Sequence, residues 1–121
     1  MPSAESIFRR NLPARITIVL ADWCPHCVPL SLDRIEAIAN RSGIPLRVLD
    51  IDDPKQEATA DALVQQSGDF AEDYLIPQVF LENENGKVEH IFTGFSEGVH
   101  VTKAKWDDFE ASPFCKQKLR S

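Results

Sequence analysis

Five consecutive residues, Ile16-Thr17-Ile18-Val19-Leu20, barely alternate between apolar and polar. β-Branched side chains suit extended backbone, and a strand without alternation is apolar on both faces. Such a strand belongs inside a sheet that is covered above and below. The strand is expected over Arg15 to Ala21. A helical pattern follows, opening at Cys24-Pro25 because proline is favoured in a first turn, and ending at Gly43. Leu30, Ile35, Ile38 and Ala39 mark its apolar side, and Pro29 should bend it by removing a backbone donor. Leu46 to Ile51 reads as a second strand. Asp52-Asp53-Pro54 caps a second helix with Ala58, Ala62 and Leu63 turned inward. A short irregular or helical piece, Phe70 to Leu75, precedes Ile76-Pro77. Gln78 to Glu82 and Val88 to Thr93 then form a hairpin around Asn83-Glu84-Asn85-Gly86. A last helix is expected from Thr102 to Glu110, with Trp106 and Phe109 inward. The order β-α-β-α-β-β-α combines a right-handed parallel crossover with an antiparallel hairpin. The expected fold class is therefore α/β, with one mixed four-stranded sheet and helices on both faces.

With 121 residues, one domain spanning 1–121 is expected. Residues 1–14 read as an N-terminal arm or helix closed by Pro13, and 111–121 as a C-terminal tail. Hydrophobic residues make up 43%, enough for an ordinary core. The net charge of −6 argues against a nucleic-acid surface and offers acidic lipids no basic patch. No apolar run approaches the roughly 18 residues that span a bilayer. Arg9-Arg10 before Ile16 to Ala21 faintly suggests an export signal, but the apolar stretch is short and runs straight into Asp22. With Met1 as the native start, the expectation is a cytoplasmic monomer with no nucleic-acid or membrane partner.

Trp23-Cys24-Pro25-His26-Cys27 carries the chemistry. Two cysteines separated by two residues can close and reopen a small disulfide ring. The attacking species is a thiolate. At a helix start, unpaired N–H groups and the positive dipole end would favour it at Cys24. Cys27, one turn further in, is the expected resolving thiol. His26 and Pro25 between them are expected to tune the redox poise, and His26 can add a donor or a positive charge. Dithiol proteins span about −270 to −120 mV, roughly 7 kcal/mol, so this dipeptide has scope to matter. The alternative for the pair is half of a metal site. Zinc would need two further ligands from Cys115, His26, His90 or His100, and none makes a second close pair. No metal is therefore expected, and no cofactor beyond the redox-active Cys24–Cys27 pair.

The strand–Trp-Cys-x-x-Cys–helix sequence, with Ile76-Pro77 before a later strand, resembles the thioredoxin-fold oxidoreductases from about Arg15 to about Glu110. The resemblance implies a cis-Pro77 beside the active site. It implies that Ile76 offers backbone groups to an extended substrate, and that Gly94 lets substrate backbone approach. A trans proline at a strand start and a plain turn glycine are the simpler readings. Trp23 matches the flanking tryptophan of that family, as a shield and substrate contact or as simple packing. Cys24-Pro25-His26-Cys27 is the active-site sequence of the periplasmic disulfide oxidants, whose helical insertion has no room here. Ile76-Pro77-Gln78-Val79-Phe80 resembles the glutaredoxins, but Thr93-Gly94-Phe95-Ser96-Glu97-Gly98 departs from their Gly-Gly-Asp glutathione signature. Thioredoxin's buried aspartate corresponds to Ile18 here, and its lysine partner falls near Val48.

These readings converge on a thiol–disulfide oxidoreductase acting on protein disulfides, as a thioredoxin-like reductant recharged by a reductase or thiol donor. A glutathione-dependent, glutaredoxin-like enzyme is the alternative within the class. A metal- or iron–sulfur-binding module using Cys24 and Cys27 is the alternative outside it. Asp22 is expected to be a solvated carboxylate. His90 and His100 read as surface or satisfied histidines, and Cys115 as a semi-buried free thiol.

Overall fold

The computed structural model describes residues 12–94 and 97–119. Four strands, β1 (Pro13–Leu20), β2 (Leu46–Asp50), β3 (Gln78–Asn83) and β4 (Val88–Thr93), form one sheet in the order β2-β1-β3-β4. β1 runs parallel to β2, with Ile16 opposite Leu46 and Leu20 opposite Asp50. It runs antiparallel to β3, with Ile16 opposite Leu81 and Ile18 opposite Val79. β3 and β4 close the sheet as an antiparallel hairpin. Its turn is sealed by Gly86 N–H on the Asn83 carbonyl at 2.9 Å, and Gly86 takes the left-handed conformation, φ 85°. This is the mixed α/β, thioredoxin-like arrangement implied by the sequence.

The strand that most resisted solvent in the sequence is the most deeply buried. Ile16, Thr17, Ile18 and Val19 are fully buried, and Leu20 nearly so. β1 begins at Pro13, two residues earlier than expected, because Pro13 pairs with Asn83 across a bulge instead of ending an arm. The rest of that expected arm, residues 1–11, lies outside the described residues.

Helices α1 (Leu32–Ser42), α2 (Glu57–Ser67), α3 (Val99–Ala111) and α4 (Pro113–Lys118) cover the sheet on both faces. α1 turns Ile35, Ile38 and Ala39 inward and stops at Gly43, φ 74°. α3 lies beside it, with Trp106 stacked on Phe92 of β4 at 4.0 Å between ring centroids. Arg34 of α1 binds both Glu110 and Asp107 of α3, and Arg41 reaches Glu110 at 3.4 Å. On the opposite face, α2 buries Ala60 and Val64. The expected inward set of Ala58, Ala62 and Leu63 is corrected: Ala58 and Ala62 face solvent and Leu63 is half-buried. The helix starts at Glu57 with Gln56 as its N-cap, because the Asp53 side chain accepts from Lys55 N–H and caps the preceding turn instead of the helix. α3 starts at Val99, three residues before the expected Thr102.

The expected C-terminal tail is also corrected. Ser112 accepts the Cys115 N–H and caps α4, which carries Cys115 and Leu119 into the core with no exposed surface. Among the described residues, no helix is long and apolar enough to cross a membrane.

A partly buried charge cluster sits on the face that α2 only half covers. Glu82 accepts two bonds from Arg15, at 2.7 and 2.9 Å, and one from Thr17 at 2.9 Å, with Arg47 at 3.5 Å. These donors, Arg15 foremost, hold the Glu82 carboxyl below its ordinary value of 4.5. A depressed folded-state pKa contributes stability that is present above the unfolded value and lost as pH falls through the folded one. Glu82→Gln is therefore expected to cost about 1 kcal/mol at pH 7, in the range of an exposed-to-half-buried ion pair. The urea-unfolding stabilities of the two proteins are expected to converge as pH falls from about 4.5 through the lowered folded-state value, and a difference that persists below that value would show packing, not charge, as the cause.

Candidate active site

β1 ends at Leu20 and delivers Ala21-Asp22-Trp23-Cys24 to the edge of the core. Cys24 N–H bonds the Ala21 carbonyl at 3.1 Å. The Cys24 carbonyl then accepts from both Cys27 and Val28 N–H at 3.0 Å, so Cys24 to Val28 form one closed turn. The expected continuous helix from Cys24 does not form. Val28 is extended (φ −129°, ψ 129°), the Val28–Pro29 peptide is cis, and regular helix begins only at Leu32. The residue before a proline is pushed out of the helical region, and Pro29 has no N–H to continue the ladder. Pro29 therefore separates the cysteine turn from α1 instead of bending a common helix, and the α1 dipole does not end at Cys24.

Both sulfurs lie inside this turn. Cys24 is 4% exposed and Cys27 fully buried. Burial, chiefly, pushes the Cys27 thiol far above its ordinary value of 9.0. The neighbouring Cys24, within hydrogen-bond reach, and the Asp50 charge push the same way, against the Ala21 backbone. Asp50 stands opposite Leu20 at the end of β2, so a carboxylate reaches the pair from the neighbouring strand, not from Ile18. The sequence pointed to no such group, since Asp50 and Asp52-Asp53 read together as strand end and cap.

His26 is buried and held at two points by α3. Its Nδ1 lies 2.6 Å from Thr102 Oγ1, and its carbonyl accepts from Ser31 Oγ–H at 2.5 Å. Ser31 Oγ in turn accepts from Trp106 Nε1–H at 2.7 Å. Thr102 and Trp106 are four residues apart, hence on one face of α3. Pro25 is exposed at the tip of the turn.

Across from the cysteine turn, the Ile76–Pro77 peptide is cis. Pro77 carbonyl accepts from Gly94 N–H at 2.9 Å. A Cβ at Gly94 would stand 2.8 Å from the Pro77 ring and 2.8 Å from Phe92, so the site requires glycine for close approach and not for a special φ. The loop before Ile76 is pinned by fully buried Gln78. Its Oε1 accepts from Asp69 N–H, and its Nε2 donates to the carbonyls of Asp69 and Leu75 at 3.1 and 2.8 Å. Gly68 completes the seat, since a Cβ there would fall 2.5 Å from Gln78 Oε1 and 2.7 Å from Phe80. Neither Gln78 nor Thr102 was marked by the sequence, because each acts through contacts between distant segments.

Trp23 is 68% exposed and donates Nε1–H to Asp52 at 2.5 Å, so it is not packing in the core. It borders a groove of about 340 Å³ with Ile51, Tyr74 and Ile76, whose polar lining is Glu57, Asp61, Glu72 and Asp73. Asp22 and His100 face solvent. His90 bonds Thr93 through Nε2 at 2.6 Å. Cys115, expected to be half-buried, is fully buried, and burial pushes its thiol up. Among the described residues, no three His, Cys, Asp or Glu side chains converge as metal ligands.

No protein-family model matches this sequence, and no curated protein matches it. Among solved structures, the chain is similar to the crystal structure of glutaredoxin 1 from Francisella tularensis complexed with cacodylate. Identity is 22%, the match covers 81% of this chain and 98% of that one, and the TM-score is 0.40.

Buried, upward-shifted thiols are poor nucleophiles at neutral pH. A brief, limiting treatment of the reduced protein with iodoacetamide is expected to modify Cys24 before Cys27 and Cys115. Peptide mass spectrometry gives the order, and Cys27 reacting first would reverse the roles of the pair.

Proposed function

We propose that the protein is a thiol–disulfide oxidoreductase acting on protein disulfides. The observation that carries this reading is that Cys24 and Cys27 share one turn, with Cys27 buried as a thiol and within hydrogen-bond reach of Cys24. Cys24, as thiolate, attacks one sulfur of the substrate disulfide. That bond breaks, the departing sulfur leaves with its electron pair and takes a proton, and Cys24 is left in a mixed disulfide. Forming it removes the Cys24 charge that opposes ionisation of Cys27. Cys27 then loses its proton and attacks Cys24 Sγ, and the second substrate sulfur leaves as a thiol. Two electrons and two protons pass from the pair to the substrate, and the Cys24–Cys27 disulfide is returned to dithiol by a reductase or thiol donor. His26 and Pro25 set the poise of the pair. Trp23 and the Ile76-Pro77 segment are the groups on which an extended substrate segment would lie, while Gly94, proposed from the resemblance as a point of substrate approach, is buried behind Pro77 and backs that segment instead.

The glutathione-dependent alternative meets an unfavourable surface. Glutathione carries more negative than positive charge, and the groove beside Trp23 and Ile76 is lined by four carboxylates. A disulfide flanked by basic residues suits it better. The metal-module alternative lacks convergent ligands among the described residues.

Cys24→Ser is expected to abolish insulin reduction, while Cys27→Ser is expected to accumulate a mixed disulfide visible by non-reducing electrophoresis. Full activity in Cys24→Ser would refute the assigned nucleophile. At low ionic strength, cystamine is expected to oxidise the reduced pair about tenfold faster than oxidised glutathione, as charge steering allows. The gap should shrink at 0.5 M salt, where screening is nearly complete over the groove. Faster reaction with oxidised glutathione would favour the glutaredoxin-like reading.

A further inference from the structure

His26 is the residue between the cysteines whose surroundings are most fully defined. Thr102 Oγ1 lies 2.5 Å from the Gly94 carbonyl oxygen and 2.6 Å from His26 Nδ1. A carbonyl oxygen only accepts, so the hydroxyl proton is committed to Gly94. Oγ1 therefore presents a lone pair to His26, and Nδ1 must carry the hydrogen. The bond sequence continues, since Gly94 N–H donates to the Pro77 carbonyl at 2.9 Å. One unbroken series, His26 to Thr102 to Gly94 to Pro77, thus joins the cysteine turn to the Ile76-Pro77 segment through a single hydroxyl on α3. The buried setting makes each of these bonds costly to leave unmade.

We propose that Thr102 is a positioning residue of the Cys24–Cys27 centre, holding His26 as the Nδ1–H tautomer and tying it through Gly94 to Pro77. The inference rests on the exchange activity proposed above for its consequence, though not for its geometry. His26 lies in the turn that the Cys24 carbonyl closes around both sulfurs, so the bond that fixes its ring also fixes the surroundings of the pair. Removing the hydroxyl takes this partner from the Nδ1–H and from the Gly94 carbonyl and should therefore shift the potential of the pair. Ser31 and Trp106 hold the His26 carbonyl independently, so the turn itself keeps its second anchor.

The tautomer is testable in the unaltered protein. Long-range proton–nitrogen NMR of the imidazoles is expected to show His26 protonated on Nδ1 when neutral. His90 serves as the internal contrast. Its Nε2 bonds Thr93, whose own proton is given to Asp69 Oδ2 at 2.7 Å, so His90 should show Nε2–H. Neutral His26 with its hydrogen on Nε2 would overturn the proposal without any mutation. In Thr102→Val, the equilibrium constant of the pair against the glutathione couple is expected to move about tenfold, about 30 mV. Thr102→Ser should restore the wild-type value. The same Thr102→Val change in a His26→Ala background should have no effect on the potential. An equal shift in both backgrounds, or none in either, would overturn the role assigned to Thr102. Absence of a reversible Cys24–Cys27 disulfide in the wild type would instead refute the proposed function, and the NMR result would still decide the tautomer.

Discussion

β1 is buried from Ile16 to Leu20, flanked by β2 and β3 and covered by helices from both sides. The strands that carry the candidate site are set in register by it. Its parallel pairing with β2 brings Asp50 level with Leu20, and its antiparallel pairing with β3 brings Gln78 level with Val19. The chain leaves its carboxyl end directly into the cysteine turn, and the next residues on β3's side are Pro77 and Ile76. The two segments that face each other across the site are thus fixed by strand register, which in a doubly covered sheet cannot slip by one residue without turning the core outward.

The cysteine turn gains less from α1 than its sequence position suggests. Val28 and Pro29 interrupt the backbone, so the turn from Cys24 to Val28 is closed by its own hydrogen bonds and then held from outside. α3 supplies that support. Thr102 takes the His26 ring, Trp106 takes the His26 carbonyl through Ser31, and the arginines of α1 bind α3 further along. Burial of Cys27 and the neighbouring negative groups keep its thiol protonated, so the two sulfurs differ through their surroundings while sharing one turn. The groove at Trp23 and Ile76 adds a second asymmetry, in charge, beside the turn.

Much of this was readable in the order of residues. Unalternating Ile16 to Leu20 announced a central strand, and Asn83 to Gly86 a hairpin turn whose glycine takes φ 85°. Gly43 marked a helix end, and Cys24-Pro25-His26-Cys27 marked a dithiol. The misreadings share a cause. Pro29 reads as a kink in the sequence, but a kink and a full break differ only in what the surrounding core demands of Val28. Ala58, Ala62 and Leu63 read as an inward face in a weakly amphipathic stretch, and only the packing of α2 on the sheet selects Ala60 and Val64 instead. Residues 111–121 read as a tail because Cys115 and Leu119 have no local pattern, and they are buried only because α3 and the sheet leave space for them.

The sequence by itself determined what is local: which segments are strands, where turns fall, and which two sulfurs can form a ring. Periodicity, proline and glycine conformations and the reach of a two-residue spacer act over a few residues. The tertiary structure alone decided how the two cysteines differ and what holds His26. Those depend on burial and on hydrogen bonds between residues 76 positions apart, such as His26 and Thr102, which exist only after the sheet and α3 have packed together.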